Sequence, residues 1–112
     1  MIIPVKTQSG GYDIILERGA LSRAGELLDL SRRALIVTDD GVPAEYAETV
    51  ASFCRDSRTV VLPQGEKSKT SASFLYVLKQ AVEMELTRTD CVIAVGGGVV
   101  GDLAGFVAAC YM

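Results

Sequence analysis

The 112-residue sequence contains no histidine, and aromatic residues make up only 6% of it. Histidine is the most common general base of enzymes and the most common zinc ligand. Its absence means that any metal chemistry of the protein must rely on ligands outside this chain. We therefore predict neither a metal site nor a catalytic residue among these 112 residues.

Long apolar runs and cysteines are also scarce. No uninterrupted run of 18 apolar residues is present, because Asp102 interrupts the best candidate. Residues 1–6 lack the charged region and apolar block of a signal peptide. Cys54, Cys91 and Cys110 are far apart and have apolar neighbours, which predicts reduced core thiols and not a disulfide framework or a zinc site. These features favour a cytoplasmic protein without a membrane partner.

The charge and composition further limit the class of protein to which the chain can belong. A formal net charge of −3 argues against a nucleic-acid partner, which would favour a basic face. A chain of 112 residues forms at most one domain, and its 49% hydrophobic and 22% charged content is ordinary for a globular protein.

The most informative segment is a glycine-rich stretch near the carboxyl end. Five apolar residues, 91–95, predict a strand that is buried on both faces, and a helix follows them. Between the two, Gly96, Gly98 and Gly101 have the G-x-G-x-x-G spacing of turns in which backbone N–H groups approach a phosphate. The same spacing occurs where a chain merely turns tightly, so both interpretations remain open at this point.

The helix predicted after this turn has two further features. Asp102 is its only charged residue, and it needs a partner to avoid a desolvation penalty among apolar neighbours. Gly97, Gly101, Gly105 and Ala109 recur every four residues, so one ridge of the helix carries almost no side chains. Another helix or a flat ligand could come close to the backbone there.

The rest of the chain predicts a Rossmann-like α/β fold. Residues 2–7 and 12–17 flank Ser9-Gly10-Gly11 and predict an amino-terminal β-hairpin. Strands at residues 34–37, 59–62 and 91–95 then alternate with helices, which predicts a mainly parallel sheet with helices on both faces. The apolar faces of the three intervening helices are predicted to be Leu21, Ala24 and Leu28; Ala47, Val50, Ala51 and Cys54; and Phe74, Leu75, Leu78, Ala81 and Val82.

Polar residues follow each of the three predicted parallel strands, where open α/β sheets bind their ligands. Asp39 follows the first strand and can accept both hydroxyls of a ribose, although an Asp before Pro43 can equally cap a helix. The loop 63–69 follows the second strand and can equally be a solvated turn. The glycine turn with Asp102 follows the third. Three such clusters on consecutive strands favour a single ligand site.

Two motifs carry a resemblance to a known family. Pro63-x-Gly65-Glu66-x-x-Lys69 and Gly96-Gly-Gly-Val-Val-Gly-Asp102-Leu-Ala-Gly105 are similar to motifs of the 3-dehydroquinate synthases, in the sugar-phosphate cyclase superfamily. The resemblance extends over residues 1–112 and implies the amino-terminal NAD-binding domain of a longer enzyme. It also implies a mainly helical second domain, outside this chain, that holds zinc or another divalent metal through one glutamate and two histidines. The apolar end of the chain, without a helix cap, agrees with that expectation.

The resemblance assigns cofactor-binding residues by position. Asp39 would bind the adenosine ribose with Glu66 and Lys69 beside it. The backbone of Gly97, Gly98 and Val99 would contact the pyrophosphate, and Asp102 would lie near the nicotinamide. Gly41 stands where the family often has asparagine, so the adenosine contact of that asparagine is not expected in this chain.

The activity implied by the resemblance is the conversion of 3-deoxy-D-arabino-heptulosonate 7-phosphate to 3-dehydroquinate and phosphate in the shikimate pathway. It also implies a phosphorylated small-molecule substrate and a homodimer for the full-length enzyme, whereas the 112-residue chain alone is expected to be inactive. Three alternatives remain: the NAD domain of a related sugar-phosphate cyclase, that of a metal-dependent polyol dehydrogenase, or a non-catalytic nucleotide-binding module. Polyol dehydrogenases tend to have serine and lysine where this chain has Val99 and Gly105, which favours a cyclase.

Overall fold

The computed structural model describes residues 1–112 and contains five strands and four α-helices. The strands are β1 (Ile2–Thr7), β2 (Gly10–Ile15), β3 (Arg33–Asp39), β4 (Asp56–Leu62) and β5 (Cys91–Ala94). The helices are α1 (Ala24–Leu27), α2 (Ala44–Phe53), α3 (Ser71–Glu83) and α4 (Gly98–Cys110), and short 3-10 turns cover Ala20–Arg23 and Glu66–Ser68. None of the helices is both long enough and apolar enough to cross a membrane.

The fold is the predicted one, a hairpin followed by a parallel α/β unit. β1 and β2 pair in antiparallel fashion and form a two-stranded sheet of their own. The second sheet has the order β4-β3-β5, and both of its pairings are parallel. Parallel pairing places the carboxyl ends of all three strands at one edge of the sheet.

Helices cover both faces of the parallel sheet, as the alternation of side chains along β3 requires. Leu35 and Val37 pack into a core cluster with residues of α3 and α4. Ala34 and Ile36 point to the opposite face and form a second cluster with α2. β3 is central and its apolar residues are fully buried, so it anchors both cores.

The strand predicted to be buried on both faces at residues 91–95 is instead the edge strand β5. Its residues are only half-buried, and Ala94 is exposed. An apolar run of four or five residues cannot show which strand of a parallel sheet is central. The strand with both faces covered is β3.

Two predicted helix faces also need correction. Leu28 lies beyond the end of α1 in extended conformation and is 55% exposed. On α3, Leu75 and Val82 are exposed, whereas Val77 is fully buried and was not predicted to be. On α3, Val77 and Ala81 are buried, and Phe74 and Leu78 are half-buried and pack against the same cluster. On α2 the prediction holds, because Ala47 and Val50 are buried and Ala51 and Cys54 pack against the same cluster.

The three cysteines are free thiols, but they are not all in the core. Cys54 and Cys91 are half-buried, and burial raises the pKa of each thiol. Cys110 is exposed on the last turn of α4. The end of α4 is nevertheless anchored, because the Tyr111 hydroxyl donates a hydrogen bond of 2.7 Å to the carbonyl of Leu86.

Candidate functional site

The sheet topology brings the three polar clusters together at one edge. Asp39 is in register with Leu62 at the end of β4, and Val37 is in register with Ala94 at the end of β5. One further backbone bond continues the pairing on each side, from Asp40 N–H to the Leu62 carbonyl at 2.9 Å and from Val95 N–H to the Val37 carbonyl at 2.9 Å. The segments that leave the three strands therefore begin side by side.

The segment after β3 is a tight turn fixed by its two aspartates. Asp39 Oδ1 accepts a hydrogen bond from the N–H of Gly41 at 2.9 Å. Asp40 Oδ1 accepts one from the N–H of Gln64 at 2.9 Å and so ties this turn to the loop after β4. α2 begins after Pro43 without any side-chain cap, so Asp39 does not play the helix-capping role that its sequence position allowed.

The loop after β4 has a defined shape and is not merely a solvated turn. Gly65 has φ 98° and ψ 171°, a conformation that side chains disfavour and glycine permits. The Ser68 side chain is buried, and its hydroxyl donates to the carbonyl of Pro63. Thr70, not Ser68, caps α3 by accepting a hydrogen bond of 3.1 Å from the N–H of Ser73. The loop thus holds Glu66 and Lys69 at the sheet edge.

Asp102 has a charged partner, although its side chain is exposed and therefore carries no desolvation penalty of the kind expected from its apolar neighbours in the sequence. Lys69 Nζ donates to Asp102 Oδ2 at 3.0 Å, so the β4 loop is joined to the first turns of α4. The hydrogen bond and charge of Asp102 raise the pKa of Lys69, and the nearby Glu66 carboxylate adds to the effect. Both side chains are about half exposed, so the pair contributes little to stability and remains accessible to a ligand.

The glycine turn leaves the beginning of α4 open. Gly97 is the N-cap of α4 and, having no side chain, it offers no side-chain cap to the first N–H groups. A Cβ added to Gly97, Gly98 or Gly101 would meet no atom within 4 Å, so the backbone here is accessible from outside. An uncapped helix N-terminus with open backbone suits a phosphate group. Val99 is half-buried beside it.

Two open cavities lie next to the polar groups of the site. One of about 360 Å³ lies between α3 and α4 and is lined by Lys69, Asp102 and Phe106 among others. Another of about 400 Å³ lies at the end of β3 and is lined by Thr38, Asp39 and neighbouring residues. The sheet edge therefore offers space next to the polar groups, although neither cavity is enclosed.

Comparisons with known proteins all lead to the same family. The profile described as 3-dehydroquinate synthase N-terminal matches residues 59–112. Over 98% of its length the chain is 38% identical to a 3-dehydroquinate synthase of Bacillus pumilus, and over 95% it is 43% identical to one of Brucella ovis. The chain belongs to the 3-dehydroquinate synthase family. It spans about a third of the length of these relatives, 32% and 30% respectively.

Two solved structures have the same fold as this chain. Two crystal structures of 2-deoxy-scyllo-inosose synthase match 98% and 99% of the chain with TM-scores of 0.85 and 0.86, at 19% sequence identity. One of them is a complex with carbaglucose-6-phosphate, NAD+ and Co2+. At this identity the likeness establishes the fold only. No cluster of three or more histidine, cysteine, aspartate or glutamate side chains in the chain is arranged to hold a metal ion.

Two residues at the edge were missed from the sequence. The Thr38 hydroxyl is buried and has no hydrogen-bond partner. The Gln64 side chain lies against Gly41, in the space that a side chain at that position would take. Thr38 ends an apolar run and Gln64 sits between two motif residues, so neither stands out in sequence. The strand register places Thr38 at the site, and the hydrogen bond from the N–H of Gln64 to Asp40 fixes Gln64 there, within the predicted loop 63–69.

Proposed function

We propose that residues 1–112 are the NAD-binding part of a 3-dehydroquinate synthase and that the three strand ends form its cofactor site. The observation that supports this most directly is the arrangement of the glycine turn. Its uncapped helix and open backbone lie on the same sheet edge as Asp39 and the Lys69–Asp102 pair. A dinucleotide needs a ribose-binding carboxylate and a phosphate-binding helix N-terminus at neighbouring strand ends.

In this proposal each group binds or orients one part of the cofactor. Asp39 accepts the hydroxyls of the adenosine ribose, with Glu66 and Lys69 beside it. The N–H groups of Gly97, Gly98 and Val99 hold the pyrophosphate, and Asp102 lies toward the nicotinamide. Bound NAD supplies a reversible hydride acceptor, and these residues supply its position.

Three features of the structure support the fit of these residues to such a group. Thr38, whose buried hydroxyl has no partner, is among the residues that line the cavity at the end of β3, and the glycine backbone is unobstructed. Lys69, beside Asp39 in this proposal, provides a positive charge to a cofactor that carries phosphate groups.

The remaining parts of the enzyme are proposed from the resemblance and the relatives. The metal ligands, the substrate-binding residues and the helical domain would lie outside this chain, and the full-length enzyme would be a cytoplasmic homodimer. Its substrate would be 3-deoxy-D-arabino-heptulosonate 7-phosphate. The 112-residue chain alone would bind cofactor without turning over substrate.

Calorimetric titration of the chain with NAD tests the cofactor site. The parent is expected to bind NAD, and Asp39→Ala and Glu66→Ala are each expected to weaken binding about tenfold, because each removes a charged hydrogen-bond acceptor. ADP should retain most of the affinity. Glu48→Ala, an exposed carboxylate on α2, is the matched control and should bind like the parent. If Asp39→Ala and Glu66→Ala both bind NAD like the parent, the assignment is wrong.

A further inference from the structure

Ser68 is a buried polar residue in an exposed loop. It is 4% exposed and is one of two buried polar residues in the chain, the other being Thr38. The residues on either side of it, 63–67 and 69–70, are all exposed. Burying a hydroxyl costs free energy unless the hydroxyl is hydrogen-bonded, and that of Ser68 donates to the carbonyl of Pro63. The loop after β4 is therefore folded around this one side chain.

Ser68 joins the two ends of the loop. Its hydroxyl binds Pro63, the first residue after β4, and its N–H donates to the carbonyl of Gly65 at 3.1 Å. Its carbonyl accepts a hydrogen bond of 2.9 Å from the N–H of Thr70, the N-cap of α3. Only the first of these three bonds involves the side chain. A substitution at this position can therefore remove that bond and leave the two backbone bonds in place.

The position of Lys69 depends on this loop. Lys69 follows Ser68 directly, and its N–H donates to the carbonyl of Glu66 at 2.9 Å. Its Nζ extends from the loop to Asp102 Oδ2 on α4, at 3.0 Å. Both charged side chains are about half exposed, so their attraction is too weak to hold the loop in place by itself. The buried hydrogen bond of Ser68 fixes the loop from its other side.

We propose that Ser68 is a positioning residue of the cofactor site, and that its hydroxyl holds the loop against Pro63 so that Lys69 reaches Asp102. Ser68 acts through Lys69 and does not itself bind the cofactor. This inference rests on the proposed NAD site and adds to it a residue that sets the contact between the loop after β4 and α4.

The first test requires no ligand. Contact with Asp102 raises the pKa of Lys69, and an NMR titration of the Lys69 Cε resonance, identified by its absence in Lys69→Gln, measures that pKa. In Ser68→Ala the pKa of Lys69 should fall toward the ordinary value of lysine, about 10.4. Ser52→Ala is the matched control, because the exposed Ser52 hydroxyl on α2 also donates to a backbone carbonyl, and it should leave the pKa raised. If Lys69 keeps the parent's pKa in Ser68→Ala, the inference is overturned.

The second test is a double-variant cycle on NAD affinity, measured by calorimetric titration. Ser68→Ala should weaken NAD binding about threefold, the effect of one lost hydrogen bond, and by no more than Lys69→Gln does. Because Ser68 acts through Lys69, the double variant should bind NAD like Lys69→Gln alone. Ser52→Ala should bind NAD like the parent. Additive losses in the double variant would contradict the proposed role.

A variant of similar volume separates the hydrogen bond from packing. Ser68→Cys fills nearly the same space, but a thiol is a weak donor. It should therefore change the pKa of Lys69 and the affinity for NAD in the same direction as Ser68→Ala, and it replaces that variant in both tests if Ser68→Ala does not fold. If Ser68→Cys matches the parent in both measurements, the side chain only fills space and the inference is wrong.

The proposed function and the role of Ser68 fail in different ways. If the parent chain does not bind NAD, the proposed function fails, while the NMR titration still tests whether Ser68 positions Lys69. If the parent binds NAD and neither the pKa of Lys69 nor NAD affinity responds to Ser68→Ala, only the role of Ser68 is overturned.

Discussion

At the scale of single residues, the site is held together by polar contacts that join segments distant in sequence. Lys69 and Asp102 are 33 positions apart, and Asp40 and Gln64 are 24 apart. The motifs in the sequence identified Lys69 and Asp102 as site residues, but only the folded chain shows that they contact each other. Thr38 and Gln64 were not singled out in the sequence, because their positions depend on the strand register and on the contact with Asp40.

The Lys69–Asp102 pair should affect ligand binding more than stability. Lys69→Gln removes an exposed ion pair, so the free energy of unfolding at pH 7 should change little, whereas NAD affinity should fall several-fold through loss of a positive charge next to the negatively charged cofactor. Urea unfolding and NAD titration measure the two effects. Lys79→Gln, an exposed lysine on α3 without an ion pair, should change neither.

The pH dependence of this pair follows from the raised pKa of Lys69. Any stabilisation from the pair is fully present below the unfolded-state pKa of lysine, about 10.4, and is lost as the pH rises through the higher folded-state value. If Lys69→Gln lowers the free energy of unfolding by as much as it lowers the free energy of NAD binding, the lysine is structural only.

At the scale of elements, the sequence predicted which segments are strands and helices better than it predicted the order of the strands and the buried faces of the helices. The apolar runs of β3 and β5 look alike, yet β3 is central and β5 lies at an edge. The periodicity of apolar residues predicted a buried face on α3. It did not show that Val77 is buried while Leu75 and Val82 are exposed. Strand order and helix rotation depend on tertiary packing, which local patterns do not specify.

The connection between α3 and β5 should make the fold sensitive to acid. Asp90 Oδ2 accepts from the N–H of Thr87 at 2.7 Å, and this bond is the main cause of the lowered pKa of Asp90. Arg33 Nη1, at the start of β3, lies 3.7 Å from the same oxygen. The stabilisation is therefore present above the unfolded-state pKa of aspartate, about 3.9, and is lost as the pH falls through the lower folded-state value.

Asp90→Asn is expected to lower the free energy of unfolding at pH 7 and to flatten its decline between about pH 4 and pH 2, because the variant has no carboxylate to protonate there. Urea unfolding at several pH values measures both. Asp13→Asn, on the exposed hairpin and without an ion pair, is the control. If Asp90→Asn and the parent lose stability in parallel below pH 4, the role of Asp90 is contradicted.

At the scale of the whole molecule, the chain presents apolar surface away from the proposed site. Ile3 and Val5 on β1, with Met1 just before it, lie on the same face of the hairpin as Tyr12, Ile14 and Leu16 on and after β2. All but Val5 are at least 40% exposed. In the carboxyl-terminal helix region Val107 is buried and Tyr111 is half-buried, whereas Phe106 is exposed. Apolar patches of this kind favour association.

We expect the isolated chain to self-associate through this hairpin face. Sedimentation velocity should show a mean mass that rises with concentration, and Ile14→Lys should lower it by placing a charge on the face. Lys6→Glu, on the opposite face of the same hairpin, is the control and should associate like the parent. A parent that is monomeric at every concentration measured would contradict the expectation.

The central claim is that three strand ends form one NAD site, and an NMR titration tests it residue by residue. Adding NAD to the isotope-labelled chain should shift the amide resonances of residues 39–41, 64–70 and 96–102 together, with one common dissociation constant. Resonances of residues 86–92, which include the start of β5 at the other end of the sheet, should stay in place. Shifts confined to residues 86–92, or no shifts at NAD concentrations of several millimolar, would contradict the claim.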